Sequence, residues 1–589
     1  AYLYQLFVRQ FGTNNLPDCS NMCHESSGAA LSETLGIGKG SVTLDDFNHA
    51  DLVMVIGQNP GTNHPRMLTA LGETKKNGGK IITMNPLPEV GLMSYNDPQN
   101  PLKWIGKGQK LTDIFLQVKI NGDVAVLKIM MKLLLEKEEK NPGSVFDLDF
   151  IKDQTQGFDV FVKDLKKYSI AELLPQTGLQ LKEIEEAANL LSQKKKIIIC
   201  WAMGLTQHKN AVDNIREVVN LLLLKGSIGR KGAGTCPVRG HSNVQGDRTM
   251  GIWEKPKDAF LDKLESEFNF KAPREHGYDV VEAIKAMHDK KAKVFFGMGG
   301  NFISATPDTE YTAVALRNCC LTVHVSTKLN RSHLIHGQKA LILPCLGRSE
   351  KDIQKSGEQF ISVENSMGVV HQSSGHLKPL SNTLLSEPAI VAGVARATLQ
   401  DSEVNWLELI NNYDGIREKI EATIPGFNNY NKRVREKGGF YLPNNARDQN
   451  FSPTYTGKAN FTLNKASDLS LKKDEFIMMT IRTHDQYNTT IYGLDDRYRG
   501  VLNERRVIFM NPKDIELLGL QQMNLVNLIS HFEGERRIAK GFLVIPYSIP
   551  RQCTATYFPE ANVLVPINST AKISNTPNSK GIIISIEKQ

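Results

Sequence analysis

The sequence predicts an α/β protein built on parallel sheets and finished by a C-terminal β-barrel. Two observations carry that expectation. A strand rich in Val, Ile and Phe, then a glycine-bearing loop, then a helix recurs at 51–60, at 197–204 and at 294–301. Strands alternating with helices argue for parallel sheets covered on both faces. After Phe476 the chain turns instead to short β-forming runs separated by polar turns, the pattern of a barrel.

Taken in order, Tyr2 to Phe11 reads as a helix already under way, with no charged n-region, apolar h-region or cleavage site before it. The chain therefore reads as a piece cut from something longer. The first unit runs through the apolar strand ending at Gly57-Gln-Asn-Pro60, a helix from about His64, and the strand Lys80 to Met84 before Asn85-Pro86. The second is Ile197 to Trp201 with Gly204, and the third is Val294 to Gly297 with a helix near Thr309 to Leu316. Strands at Leu321 to Val325 and Ala340 to Pro344 follow, then helices at Glu387 to Leu399 and Val404 to Ala422. The region Asn428 to Ser470 is polar, aromatic and irregular, a peripheral connection. Barrel strands are expected at Phe476 to Ile481, Val507 to Phe509, Leu525 to Ser530, Ile538 to Val544 and Ile582 to Ile586. In parallel sheets ligands sit at the carboxyl ends of strands, where these glycine loops lie. Glycine permits close backbone approach and a following helix N-terminus offers N–H groups to phosphate, so the three loops together point to an extended, phosphate-bearing cofactor.

Composition removes several function classes. With 589 residues, 40% of them apolar, the chain can bury a large core, and that length corresponds to roughly three to five domains. No apolar run of membrane-spanning length occurs. The net charge of +8 is spread over short runs such as Lys194-Lys195-Lys196, without a basic arm, which argues against nucleic acid as a partner. Eight cysteines without a C-x-x-C pair are too sparse for a disulfide framework and fit a reducing, cytoplasmic setting. No G-x-G-x-x-G with an acidic partner is present, which argues against a nicotinamide dehydrogenase.

The chemistry concentrates at Cys23-His24. A thiolate is a soft ligand for a redox metal, and the adjacent imidazole can move a proton. Cys19 lies nearby, but a zinc reading of Cys19, Cys23 and His24 lacks a second ligand pair at finger spacing.

Longer motifs then join this dipeptide. Cys236-Pro-Val-Arg239-Gly-His-Ser-Asn243-Val-Gln245-Gly246 is similar to the P-V-R-G-x-x-N-V-Q-G loop of the molybdopterin oxidoreductases of the dimethyl sulfoxide reductase superfamily. Gly57-Gln-Asn-Pro60 with His64-Pro65, Trp201-Ala-Met-Gly204-Leu-Thr-Gln207, and Thr34-Leu-Gly-Ile-Gly-Lys-Gly40 resemble further segments of the same family, as do Arg482-Thr-His484-Asp-Gln486-Tyr-Asn488 and Asn575-Thr-Pro577-Asn-Ser-Lys580. The resemblance covers nearly the whole chain and is closest to the formate dehydrogenase alpha subunit, particularly its acid-resistance-associated branch.

That resemblance implies Rossmann-like halves closed by a six-stranded, double-psi-type barrel. It implies a first α/β domain from 1–18 and 271–385 with its start missing, a second at 19–270 carrying Cys23, a helical and irregular connection at 386–470, and a dinucleotide-binding barrel at 471–589. It implies molybdenum, or tungsten, held by two molybdopterin guanine dinucleotides, with Cys23 as protein ligand and His24 accepting a proton or orienting substrate. Cofactor contacts are expected from Lys39, Gly57, Asn59, His64, Asn85, Gly204, Gln207, Arg239, Gly240, Asn243, Gln245, Arg482, His484, Gln486, Asn488, Asn568 and Lys580. Arg239, Lys39, Arg482 and Lys580 have the charge to meet pyrophosphate or pterin oxygens. A small-molecule substrate such as formate, an electron-acceptor protein, and a four-iron four-sulfur cluster in a missing N-terminal region complete the expectation.

Two departures stand against it. The stretch Glu364 to His376 carries no arginine where formate dehydrogenases have a substrate-orienting one, and Asn85 stands in place of a guanine-binding acidic residue. A carboxylate substrate in a water-poor site needs a paired cation. The missing arginine motivates a second reading, a non-catalytic or stress-related descendant that keeps the fold.

Overall fold

The computed structural model describes residues 1–95, 108–241, 243–467, 470–489 and 491–589. It comprises two compact units, each assembled from separated stretches of chain: Ala1–Met22 with His241–Pro443, and Cys23–Gly240 with Asn444–Gln589. Among the described residues no helix is long and apolar enough to cross a membrane.

The larger unit holds a five-stranded parallel sheet in the order Ile114–Leu116, Lys80–Met84, Leu52–Ile56, Ile197–Trp201, Gly234–Pro237. Leu52–Ile56 and Ile197–Trp201 are buried along their whole length, which is why they read as unbroken apolar runs and not as alternating ones. Helices such as Glu25–Leu35, Asp123–Lys140, Leu181–Ser192 and Ala211–Leu224 pack on the sheet and join its strands in one apolar cluster. The segment after Asn444 contributes Ala446, Phe451, Ala459 and Phe461 to that cluster, and Ala459–Asn460 pairs in parallel with Thr155–Gln156.

The same unit contains a closed six-stranded barrel, ordered Phe476–Ile481, Cys553–Tyr557, Val507–Met510, Glu535–Pro546, Leu525–Phe532, Ile582–Lys588. Parallel and antiparallel neighbours mix around it: Phe476–Ile481 runs parallel to Cys553–Tyr557 and antiparallel to Ile582–Lys588. Closure leaves no sheet edge. The five strands expected from the sequence are present, and Cys553–Tyr557 is the sixth.

The smaller unit holds a three-stranded parallel sheet with Leu321–Ser326 central between Val294–Met298 and Lys339–Pro344. It also holds an antiparallel sheet of Ile361–Glu364, Val369–Ser373 and Phe440–Tyr441. The helices Glu387–Thr398, Trp406–Asn411 and Tyr413–Thr423 supply Val391, Ala392, Ala395, Trp406, Leu409 and Ile420 to its core beside Leu3, Leu6 and Phe7 of the first helix. The stretch 386–470, expected as one connection, thus divides at 443/444 between the cores of the two units.

Candidate functional site

In the larger unit Cys23 lies two residues before the Glu25–Leu35 helix and is buried, 5% exposed; its carbonyl accepts the Thr206 hydroxyl at 2.5 Å. His24 occupies the N-cap position and is 1% exposed. Its Nε2 lies 3.1 Å from the Val238 carbonyl and its Nδ1 3.0 Å from Ser27 Oγ. A carbonyl only accepts, so Nε2 carries the proton and Nδ1 accepts from the Ser27 hydroxyl, which in turn accepts Trp201 Nε1–H at 2.9 Å. Burial above all, then Arg239 and His64, hold His24 well below the ordinary histidine range against the opposing pull of the Val238 carbonyl. His24 is a neutral ring with both nitrogens engaged, tying the ends of two strands to the helix that follows Cys23.

Those strand ends also cross at glycines. Gly57 adopts φ +55°, and Gly204 N–H donates to Gly57 O at 3.1 Å. A Cβ on Gly204 would stand 2.4 Å from that oxygen, and one on Gly57 2.8 Å from Leu205 Cδ1. Only glycine allows the two loops this approach. Beyond Gly57, Asn59 caps a short helical turn through Thr62 N–H. Gln58 Oε1, Asn59 Nδ2, Thr62 Oγ1 and Asn63 Oδ1 are buried there without a hydrogen-bond partner among the described residues. His64 receives Gln58 Nε2–H on Nδ1 and donates from Nε2 to Arg239 O, and burial, with Arg482 acting the same way, lowers it to about 4 against the Arg239 carbonyl.

Cations gather near the Cys23 thiol. Arg482 is pulled down by burial and held up chiefly by Cys23. Lys580 donates to Thr480 O; burial and Arg482 bring its ammonium down to about 7, with Cys23 opposing. Neither has a carboxylate partner among the described residues. Arg239 Nη2 donates to Gly38 O at 3.1 Å, which ties it to the loop carrying Lys39; a Cβ on Gly240 would come 3.9 Å from Arg482 Nη2. His208 donates from Nε2 to Gly204 O at 2.8 Å, leaves Nδ1 buried without a partner, and is lowered to about 4 by burial, with Lys580 assisting.

Other expected contacts are engaged elsewhere. Asn85 donates to Leu87 O, and the Gln207 carbonyl accepts Lys580 N–H. Gln486 is fully used inside the barrel loops by Thr483, Arg505, Asn488 and Phe558. Asn488 stands at φ +49°, and Asn568 is exposed. Asn243 and Gln245 belong to the smaller unit, where both bind Glu364: its N–H donates to Asn243 Oδ1 at 2.9 Å and its carboxylate accepts Gln245 Nε2 at 2.7 Å. Ser242, inside the same motif, lies outside the described residues.

Sequence reasoning did not single out a buried charge network around His484. Asp496 Oδ1 accepts His484 Nδ1–H at 2.8 Å, while Oδ2 accepts Arg499 Nη1 at 2.8 Å and the Tyr557 hydroxyl at 2.9 Å. Arg499 Nη2 reaches Glu89 at 2.5 Å, both side chains nearly sealed from solvent. Burial raises Asp496, but His484, Arg499 and Tyr557 outweigh it and hold it at about 2. Asn578, ten residues beyond Asn568, is likewise buried with Oδ1 unpartnered. The signal that would have found it is its place inside the Asn575–Lys580 motif; Asp496 and Glu89 have no spacing signal.

Among the described residues no cluster of three or more His, Cys, Asp or Glu side chains could hold a metal. All eight cysteines stand outside disulfides. A metal at Cys23 would draw its other ligands from a cofactor.

Comparison with known proteins bears on that cofactor. Residues 1–335 match the model of the molybdopterin oxidoreductases, and residues 476–583 that of the molydopterin dinucleotide binding domain. An uncharacterized oxidoreductase of Mycobacterium tuberculosis (strain ATCC 25618 / H37Rv) is 52% identical over all of this chain and 76% of its own length. Protein YdeP of Escherichia coli (strain K12) is 44% identical over all of this chain and 79% of its own. The F420-dependent formate dehydrogenase subunit alpha of Methanocaldococcus jannaschii is 24% identical, covering all of this chain and 84% of its own. Among solved structures, acetylene hydratase from Pelobacter acetylenicus superposes with a TM-score of 0.65 at 15% identity, over 99% of this chain and 84% of that one, a likeness of fold. With more than half the chain matched and its barrel falling on the dinucleotide-binding region, the protein belongs to the molybdopterin oxidoreductase family.

Proposed function

We propose that this chain oxidises formate or another small substrate by two electrons at a molybdenum held by two molybdopterin guanine dinucleotides, with Cys23 as the protein ligand. The observation that carries the reading is the buried Cys23 thiol within electrostatic reach of Arg482 and Lys580, two cations without a carboxylate partner among the described residues. Like charges brought together in a low-dielectric site are stabilised by an anion. Thiolate and phosphate are both suited to that place.

The residues fit the group. One soft ligand suits a metal whose remaining ligands arrive with the cofactor. The unpartnered Gln58, Asn59, Thr62 and Asn63 atoms suit a heterocycle or ribose with donors and acceptors of its own. The Gly57–Gly204 crossing lets backbone approach closely. When bound, the molybdenum group would supply a two-electron acceptor. The chain's part is to hold the Cys23 thiolate, to meet phosphates with Arg239, Lys39 and Lys580, and to keep the loop ends fixed through His24 and Ser27. An acceptor protein or cluster would take up the electrons that the group accepts. The distant relative named as a formate dehydrogenase supports formate as the first substrate to try.

The test is elemental analysis for molybdenum, tungsten, iron and zinc, with pterin fluorescence after oxidative release, on the protein and on Cys23→Ala. The expected result is molybdenum with about two pterins per chain, a metal content that falls in the variant, and formate oxidation with a dye acceptor. Unchanged metal in Cys23→Ala would remove Cys23 as ligand. The second reading, a fold-keeping descendant without catalysis, is favoured by the arginine missing from Glu364–His376; cofactor-replete protein that oxidises no small substrate would establish it.

A further inference from the structure

We infer that the segment 444–464 is a strap that fixes the glycine loop carrying Lys39, with Asn444 and Asn445 as positioning residues for the cofactor contact of that lysine. The contact rests on the function proposed above; the hold of the strap on the loop does not, and the test separates the two.

The helix Glu25–Leu35, which follows Cys23, ends at Gly36 in the left-handed region, φ +81°, and Gly36 N–H returns to Ser32 O. That answers one of the carbonyls a helix C-terminus leaves open. Four more carbonyls along the next turn and loop are met from residues more than 400 positions later in the chain. Asn460 Nδ2 donates to Glu33 O at 3.2 Å, Asn445 Nδ2 to Leu35 O at 2.9 Å, Asn444 Nδ2 to Gly40 O at 2.8 Å and Arg447 Nε to Ser41 O at 3.3 Å. Gly38 O, between them, accepts Arg239 Nη2 at 3.1 Å. Lys39 therefore stands between two carbonyls that are both held, which restricts the backbone from which its side chain departs.

The amides of Asn444 and Asn445 cannot be turned over. Asn445 Nδ2 also donates to Asn450 O at 2.9 Å, and a carbonyl only accepts; Asn444 Oδ1 is taken by Arg447 N–H at 3.0 Å. The seat of the strap is apolar and separate from them: Ala446 and Phe451 are buried in the core of the larger unit, and Gln449 packs so closely that a Cβ on Gly229 would stand 2.2 Å from its Cγ. Strap and loop touch again at Gly36, where an added Cβ would meet Asn445 Nδ2 and Pro453 Cβ, each at 3.1 Å. On its other flank the loop pairs with the edge strand Gly234–Pro237: Ser41 N–H donates to Thr235 O at 3.0 Å, and a Cβ on Gly40 would lie 2.9 Å from that oxygen. The loop is thus held between sheet edge and strap. Removing an amide donor leaves the strap seated and frees one side of the loop.

The first arm needs no cofactor: native-state hydrogen exchange by mass spectrometry on the 589-residue chain, reading the bonded amides of Gly36 and Ser41. Asn445→Asp, which turns the donor into an acceptor, and Asn444→Ala are each expected to raise exchange in residues 33–42 about 5- to 30-fold, the ratio that one lost or unmade hydrogen bond corresponds to. The strand Leu52–Ile56 should stay as protected as before. Asn450→Asp is the control on the same strap: Asn450 Oδ1 accepts Ser452 N–H at 3.1 Å, a bond that a carboxylate keeps, so the loop should exchange as in the wild type. Unchanged exchange at 33–42 in both variants, or a rise shared equally by Leu52–Ile56, would overturn the strap. The second arm follows pterin release from cofactor-loaded protein. Asn445→Asp is expected to speed release about 5- to 30-fold, and to add little once Lys39 is replaced by Ala, because two changes that act through one contact are not additive. Additive effects would overturn the positioning role, and Asn444→Ala carries both arms should Asn445→Asp fail to fold. Wild-type protein that binds no pterin would sink the function proposed above and with it the role of Lys39, while the exchange arm still decides the strap.

Discussion

His208 gives its one polar proton to the carbonyl of Gly204, so it braces the loop on which the strand Ile197–Trp201 ends. Its folded value of about 4 lies below the roughly 6.5 of an unfolded histidine. Between those values the unfolded chain binds one proton more, so stability is complete above about 6.5 and is lost as the pH falls toward 4. Replacing His208 by Gln should therefore flatten the acid side of the stability curve by about 1.4 kcal/mol per pH unit, at a cost of about 1 kcal/mol at neutral pH for the weakened bond. Urea melts at pH 4.5, 5.5 and 7 check both slopes, and parallel curves for the two proteins would refute the assignment. The sequence pointed Cys23, His24, Arg482 and Lys580 toward one cofactor through their motifs, while assigning them to two different domains; the structure holds all four in the larger unit. It could not carry which nitrogen of His24 is engaged, because that depends on Val238, 214 residues away. Nor could it join His484 to Asp496 and Glu89, whose approach is made by the folding of the barrel loops and not by any spacing.

The crossing of two strand-end loops at Gly57 and Gly204 is where backbone packing, not side-chain chemistry, shapes the site. A methyl group on Gly204 has to displace a carbonyl oxygen 2.4 Å away that itself accepts a hydrogen bond. Gly204→Ala should destabilise the larger unit by about 1–3 kcal/mol and loosen retention of the cofactor. Gly393, inside the Glu387–Thr398 helix of the other unit with open space around it, makes the control: Gly393→Ala should gain roughly 0.5–1 kcal/mol. Paired thermal melts with pterin release measure both, and a neutral Gly204→Ala would mean the loops separate at no cost. Elements were legible where one physical signal dominated. Leu-Val-Met-Val-Ile and Ile-Ile-Ile-Cys-Trp announced buried parallel strands by composition alone. Gly234–Pro237 did not, since Gly-Thr-Cys-Pro has no β preference and is drafted into the sheet by its neighbour Ile198–Trp201. Cys553–Tyr557 was missed for a related reason: its small and hydroxyl side chains show neither alternation nor a hydrophobic run, and closure of the barrel supplies its pairing on both sides.

At the scale of the molecule, each unit needs both of its chain segments. The stretch 386–470 is polar and aromatic enough to read as a connection, yet several of its aromatic residues are core residues of two different bodies. Phe451 is 2% exposed and meets Phe150 edge-on at 6.4 Å in the larger unit. Trp406 is 2% exposed in the core of the smaller one, its Nε1 donating to Ser402. Truncating a buried aromatic to Ala removes its transfer free energy and leaves a cavity, about 3–5 kcal/mol in all. If the division falls at 443/444, that loss is spent locally. Phe451→Ala should raise amide exchange in the Leu52–Ile56 and Ile197–Trp201 strands while leaving Glu387–Thr398 and Val294–Met298 as protected as before. Trp406→Ala should do the reverse. Native-state hydrogen exchange by mass spectrometry reads both patterns in one experiment. Exchange rising uniformly across all four segments in either variant would mean that the chain opens as a single cooperative body, and the two cores could then not be treated as separate stability units.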